Sequence, residues 1–478
     1  MPDTTQPSRT RCTRAIATLA AVLMLSPAGM GLQEQAETGL PDLAAIMASV
    51  SQIRELEFLR DVPAEKQAQA EWGAYLHEEI SAAYPPDEVD GLVRGLVKLG
   101  LLSETIDLVD ELETALLTQA GAYYDTKSGT FYYLMLDMPA DQLGILASHE
   151  LAHALQDQHF DLERVQGVFE NTQGDEPRND DAMLAVSMLI EGEATYLMTL
   201  WQAASMGGDL TRNRRVEEMT FRGMADLSMS MLTMMTKAAG DTFPPDSDIG
   251  KAMAAMDDIP PYIMEPLLAA YMKGAYFTMR LRRHGGWDAV STAYSDLPRS
   301  SEQVLHPEKY FGGEDGAERD EPTMIRLPEF PSLTEHGFEP IDAAIHGEFY
   351  LGVLLRNLGV NEYVVAQAIE GWDGDVYRAY SQPSGETMIV LATTWDTDKD
   401  AGEFLAAYSE ALSSKYGEDA PSVTHKENVT HVIVESERGF EGHAIRRGRE
   451  VFVVEGAPRE LTKAILSQLI WMELERID

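Results

Sequence analysis

The sequence predicts an α+β protein: a mostly helical region over residues 40–340 with one small β-hairpin, then a C-terminal α+β domain over 341–478. Three observations predict it. From residue 40 onward apolar residues recur every three or four positions through long stretches, the period of an amphipathic helix. Two aromatic-rich runs flank Asp125-Thr126-Lys127-Ser128-Gly129, as two strands flank a polar turn. Towards the C-terminus, β-branched apolar runs alternate with amphipathic stretches.

The elements follow in order. Arg9, Arg11 and Arg14 precede the apolar run Ala15 to Leu25, and the small residues Ser26, Ala28, Gly29 and Gly31 follow it. That is the pattern of an export signal over 1–31, with an uncleaved anchor as the alternative. No later segment holds about 18 uninterrupted apolar residues, so no stable membrane span is expected once the signal is removed. Cys12, the single cysteine, would leave with the signal, so a mature chain has no disulfide and no thiolate metal site. The expected location is secreted or otherwise extracytoplasmic.

Lys66 to Ala83 and Glu104 to Leu117 read as amphipathic helices. After the hairpin, Asp137 and Pro139 read as the cap and first-turn proline of a helix carrying HELAHALQDQHFDL. A polar segment, Asn171 to Asp181, separates it from an apolar helix, Ala182 to Ala204. Methionine-rich helical segments, a Pro/Asp-rich linker (Asp241 to Asp248) and a further helical stretch over 250–285 come next. Leu297 to Phe311 is loop-like and Gly312 to Pro331 is polar and irregular. In the C-terminal part Met388 to Trp395, Val432 to Glu435 and Glu450 to Val454 read as strands, and Asp400 to Leu412 and Pro458 to Glu475 as helices. Gly371 to Tyr377, GWDGDVY, reads as a turn.

With 79 acidic against 37 basic residues the formal charge is −42, which repels nucleic-acid phosphates and anionic membranes. No nucleic-acid partner is expected, and the charge reads first as a solvated acidic surface.

Within the HELAHALQDQHFDL run, His149-Glu150-Leu151-Ala152-His153 is an HExxH motif. Residues four apart share a helix face, so His149 and His153 can hold one metal ion, with Glu150 offset to take a proton from water. A catalytic zinc takes three protein ligands, so a third is needed. His159 lies six residues beyond His153, but Gln156 stands where a helix-breaking glycine would be needed. On a continuous helix His159 is turned about 240° away from His153. The better candidates are Glu191 and Glu193, charged residues in a very apolar helix that need partners there. Only one can face the histidines. Glu191, directly after the longest apolar run, is expected to be the ligand, and Glu193 a supporting or surface residue. An ordinary glutamate pair at a helix bend near Gly192 is the alternative. Asp157 shares His153's face and either orients a ligand imidazole or is solvated.

HELAHALQD resembles the active-site helix of thermolysin-like (gluzincin) metallopeptidases, in which a later helix supplies a glutamate followed by a small residue, as in Glu191-Gly192. A wider likeness, to an extracytoplasmic zinc-peptidase-like family, rests on HALQDQHFDL, EGEAT, GGW (Gly285 to Trp287), SEQVLHPEKY (Ser301 to Tyr310), GWDGDVY and TTWDT (Thr393 to Thr397). The chain departs from the thermolysin pattern in lacking an Asn before the glutamate and an Asp four residues after it, where Thr195 stands. The resemblance implies a zincin-like catalytic region, a Zn2+ cofactor, a peptide or protein substrate and Glu150 as general base. It further implies a later Tyr or His that donates to the oxyanion, with His306 the first choice and Tyr310 the second. The alternative is a non-catalytic extracytoplasmic binding or assembly protein that keeps the metal-binding helix.

Overall fold

The fold is α+β, as the sequence predicts, and its described residues fall into two compact units. The computed structural model describes residues 41–119, 121–134, 140–169, 176–228, 231–232, 259–312, 318–416, 422–426, 429–435 and 441–471. The expected signal over 1–31, the cap residues Asp137 and Pro139, and the Asp241–Asp248 linker lie outside these, as does most of the methionine-rich segment.

The first unit takes in residues up to Tyr84, Val109–Asn171 and Met183–Pro298. It begins with α1 (Leu43–Arg54), β1 (Ala64–Gln67) and α2 (Gln69–Ala83), so the start of the expected Lys66 helix is a short strand. After α4 (Leu108–Gln119) comes the expected hairpin, β2 (Ala122–Asp125) and β3 (Thr130–Leu134). Its turn forms because Asp125 accepts from the Lys127 and Ser128 amides while Gly129 takes a positive φ of 66°. β1 pairs with β3 in parallel and completes a three-stranded sheet. Helix α5 (Ala140–Phe160) carries the HExxH and runs unbroken past Gln156. Asp161, left-handed at φ 59°, then turns the chain and caps α6 (Leu162–Gln166).

Helix α7 (Asp180–Ser205) is the one described helix long and apolar enough to cross a membrane, yet 83% of that window is buried in the protein. It is a core helix. After α8 (Arg214–Ala225), helix α9 (Pro261–Ala293) crosses it at backbone contact. A Cβ on Gly192 would lie 2.1 Å from the Gly274 carbonyl carbon, and one on Gly274 would lie 2.0 Å from the Met188 oxygen. Gly192 therefore does not bend α7; it lets α9 come close. Gly285 and Gly286 have non-helical angles inside α9, and the chain redirects there before Trp287.

The second unit comprises Pro85–Leu108, Thr172–Ala182 and Arg299–Asp478. Its boundary thus lies before the expected residue 341, and it recruits two earlier segments, including helix α3 (Pro86–Leu99). Its eight-stranded sheet has the order β4-β5-β6-β7-β11-β10-β9-β8. These strands are β4 (Arg178–Asn179), β5 (Glu339–Ile345), β6 (Trp372–Ser381), β7 (Thr387–Trp395), β8 (Ser422–Lys426), β9 (Val429–Glu435), β10 (Glu441–Arg447) and β11 (Glu450–Glu455). GWDGDVY is therefore part of a strand, the positive φ of Gly371 supplying the turn before it. Met388, Val390 and Ala392 of β7 join Phe452 and Val454 of β11 in a core closed by the C-terminal helix Arg459–Trp471, while Ile389 and Leu391 are buried on the opposite face. Cover on both faces explains the nearly continuous apolar run of β7. Leu297–Phe311, expected as a loop, contains two short helices, Ser301–Leu305 and Pro307–Phe311.

Candidate metal centre

Helix α5 places His149 and His153 one turn apart, and α7 brings Glu191 against them. The His149 and His153 Nε2 atoms are 3.0 Å apart, and Glu191 Oε2 lies 3.2 and 3.3 Å from them. All three side chains are buried. A tetrahedral zinc with bonds of about 2.0–2.1 Å needs ligand atoms about 3.3 Å apart, so this triangle fits such an ion closely. Glu191 Oε1 is buried without a hydrogen-bond partner, as suits a carboxylate whose stabilising partner is an ion. Among the described residues one other group, Glu302, Asp320 and Asp396, has its ligand atoms within 4.8 Å of one another. There the Lys309 ammonium sits 2.6–2.8 Å from all three carboxylates, making an ionic knot.

Burial and mutual contact set the charges at the triad. Burial opposes charging either imidazole. For His153 the neighbouring Glu191 outweighs burial and draws it up to about 9, whereas His149, beside it, is held below its ordinary value. Burial likewise pushes Glu191 up, but the imidazoles, His153 foremost, pull it below the usual carboxylate range. Glu150 is fully buried at the site, close enough for its charge to act on both His153 and Tyr271.

Glu193 points elsewhere, as its angular offset on α7 requires. Its carboxylate accepts from Arg54 Nε, from Tyr294 Oη at 2.5 Å and from Gln156 Nε2 at 3.2 Å. The same Gln156 amide carries its oxygen 2.8 Å from His153 Nδ1. Gln156, which in the sequence stands only where a helix-breaking glycine would be needed, is thus the residue that orients the His153 imidazole.

Asp157 does not take that role. It accepts from Tyr124 Oη at 2.9 Å, Arg60 at 3.1 Å and the Leu162 amide, because it lies on the side of α5 that meets the hairpin. His159, carried away by the unbroken helix, donates from Nε2 to the Glu57 carbonyl at 2.8 Å. His306 belongs to the second unit, where its Nε2 meets Glu348 Oε1 at 3.0 Å. Tyr310 is in the second unit too, its ring beneath the Arg319 guanidinium. The aromatic beside the triad is Tyr271 of α9, whose ring centroid lies 5.7 Å from that of His149. Burial, reinforced by Glu191 and Glu150, raises its phenol well above the ordinary value, so it remains a proton donor at neutral pH.

Gln156 was legible in principle, since three residues beyond His153 is the same helix face. Arg54, Tyr271 and Tyr294 carry no such local signal. Among known families, the model of a domain of unknown function (DUF8575) matches residues 337–466, inside the second unit, a range that contains none of His149, His153 and Glu191. No curated protein and no solved structure matches the chain.

Proposed function

We propose that this chain is a zinc-dependent peptidase working outside the cytoplasm, with His149, His153 and Glu191 as metal ligands. The observation that carries the reading is the convergence of three buried ligand atoms, 3.0–3.3 Å apart, beside a buried glutamate. A structural zinc site is usually closed by four protein ligands and has no need of a neighbouring base. Three ligands and Glu150 fit hydrolysis better. The export-type N-terminus supports the location.

Zinc held by the triad supplies Lewis acidity, polarising a carbonyl and making water a nucleophile near neutral pH. Glu150 accepts the proton of the attacking water and returns it to the departing amine. Tyr271, in place of His306, donates a hydrogen bond to the oxygen on which negative charge develops. Gln156 keeps His153 oriented throughout.

The ligands and Glu150 are fully buried, so metal binding and cleavage are measured separately. Zinc stoichiometry comes first, then cleavage of a broad peptide library by the native protein and by Glu150→Gln. We expect the variant to keep its zinc and lose about 10²–10⁴-fold in rate. A zinc-loaded native protein that cleaves no peptide would return the chain to the binding-protein alternative.

A further inference from the structure

We infer that Gln156 is a positioning residue that sets the tautomer of His153, and that Arg54, reaching from the first described helix, locks it there through Glu193. The inference rests on the reading of His149, His153 and Glu191 as a metal centre.

A glutamine amide has a donating end and an accepting end, and its surroundings decide which way it faces. One end of Gln156 meets the Ile190 carbonyl at 2.9 Å and Glu193 Oε2 at 3.2 Å, both acceptors. The NH2 group must sit there, so Oε1 faces His153 Nδ1 at 2.8 Å. Nδ1 must then carry a proton, and Nε2, the nitrogen left for a metal, faces His149 and Glu191.

The far end of the relay is equally constrained. Glu193 holds its angle because Arg54 Nε binds Oε1 while Tyr294 Oη binds Oε2. Arg54 is itself buried, its guanidinium 4.6 Å from the Trp287 ring centroid and 3.0 Å from Ser291 Oγ. The charges of Arg54 and Glu193 balance each other, and His153 sees a neutral amide rather than a carboxylate. A weaker acceptor leaves the imidazole a weaker ligand than a direct carboxylate partner would. Helix α1 is therefore part of the centre, and processing that removed it would take Arg54 away.

The test measures zinc affinity by competition with a chromogenic chelator, for the native protein, Gln156→Met and Gln156→Leu. Methionine and leucine keep a side chain of similar bulk and lose the amide, so His153 Nδ1 is left without its acceptor. Both are expected to bind zinc about 10–100-fold more weakly, the usual cost of losing such a partner. Cooperative melting of each chelated variant checks the fold, and if one fails to fold the other decides. A purely structural glutamine would lower the melting temperature and leave affinity alone, so zinc binding as tight as the native protein's overturns the inference. A native protein that binds no zinc overturns the metal centre itself, a different and separable result.

Discussion

Replacing Arg54 with methionine removes the cation from a pair whose side chains are 2% and 0% exposed. Glu193 keeps Tyr294 and Gln156 as donors but loses its only counter-charge among its described partners. Breaking a buried pair on one side typically costs about 3–5 kcal/mol, because the remaining charge is stranded. The lost stacking on Trp287 adds up to about 2 kcal/mol when desolvated, part of which the methionine recovers through its own contact with the ring. Arg54→Met should therefore destabilise the chelated protein by about 3–5 kcal/mol in urea or guanidinium unfolding. The diagnostic arm is the second substitution. Glu193→Gln in the Arg54→Met background removes the stranded charge while keeping an acceptor for Tyr294, and should restore at least about half the loss. If the double variant is as unstable as Arg54→Met, the cost comes from packing and not from the charge, and the account of Glu193 fails.

Three further outcomes follow from the geometry. Gly192→Ala forces a methyl into the Gly274 backbone; overpacking of this kind costs about 1–3 kcal/mol or more, so a lower melting temperature and weaker zinc binding are expected together. Tyr271→Phe should lower kcat about 10²–10³-fold with zinc stoichiometry and KM little changed, if the phenol serves the developing oxyanion. His346, fully buried in the second unit with neither ring nitrogen hydrogen-bonded among the described residues, is held below its ordinary value by burial. The unfolded chain then takes up a proton that the folded chain resists, so stability falls as pH drops below about 6.5, and His346→Phe should flatten that slope in unfolding curves.

Much of the centre was legible because its first parts are local. The four-residue spacing of His149 and His153 and the offset of Glu150 follow from the helical period alone, and so does the angular argument that separates Glu191 from Glu193. His159 was excluded on the same ground, and the unbroken run of α5 to Phe160 bears that out. Asp157 shows where this reasoning stops. Sharing a face with His153 did not reveal that the hairpin, through Tyr124, claims that carboxylate first.

By itself, then, the sequence determined the α+β class, the β-turn at Asp125–Gly129, the helix that carries the HExxH and the choice of Glu191 as the glutamate that faces its histidines, because each depends on a backbone period or on the cost of a charge in an apolar helix. Tertiary structure alone decided the rest. Arg54 and Glu193 stand 139 residues apart in the chain, Tyr294 and Glu193 101 apart, and no local pattern signals such pairs. The discontinuous second unit, which draws 85–108 and 172–182 to a sheet built mainly after residue 299, was hidden for the same reason. Gly192 carries the contrast in one residue: by sequence it suggested a bend, but in the fold its missing Cβ is the space through which α9 approaches and sets Tyr271 beside His149.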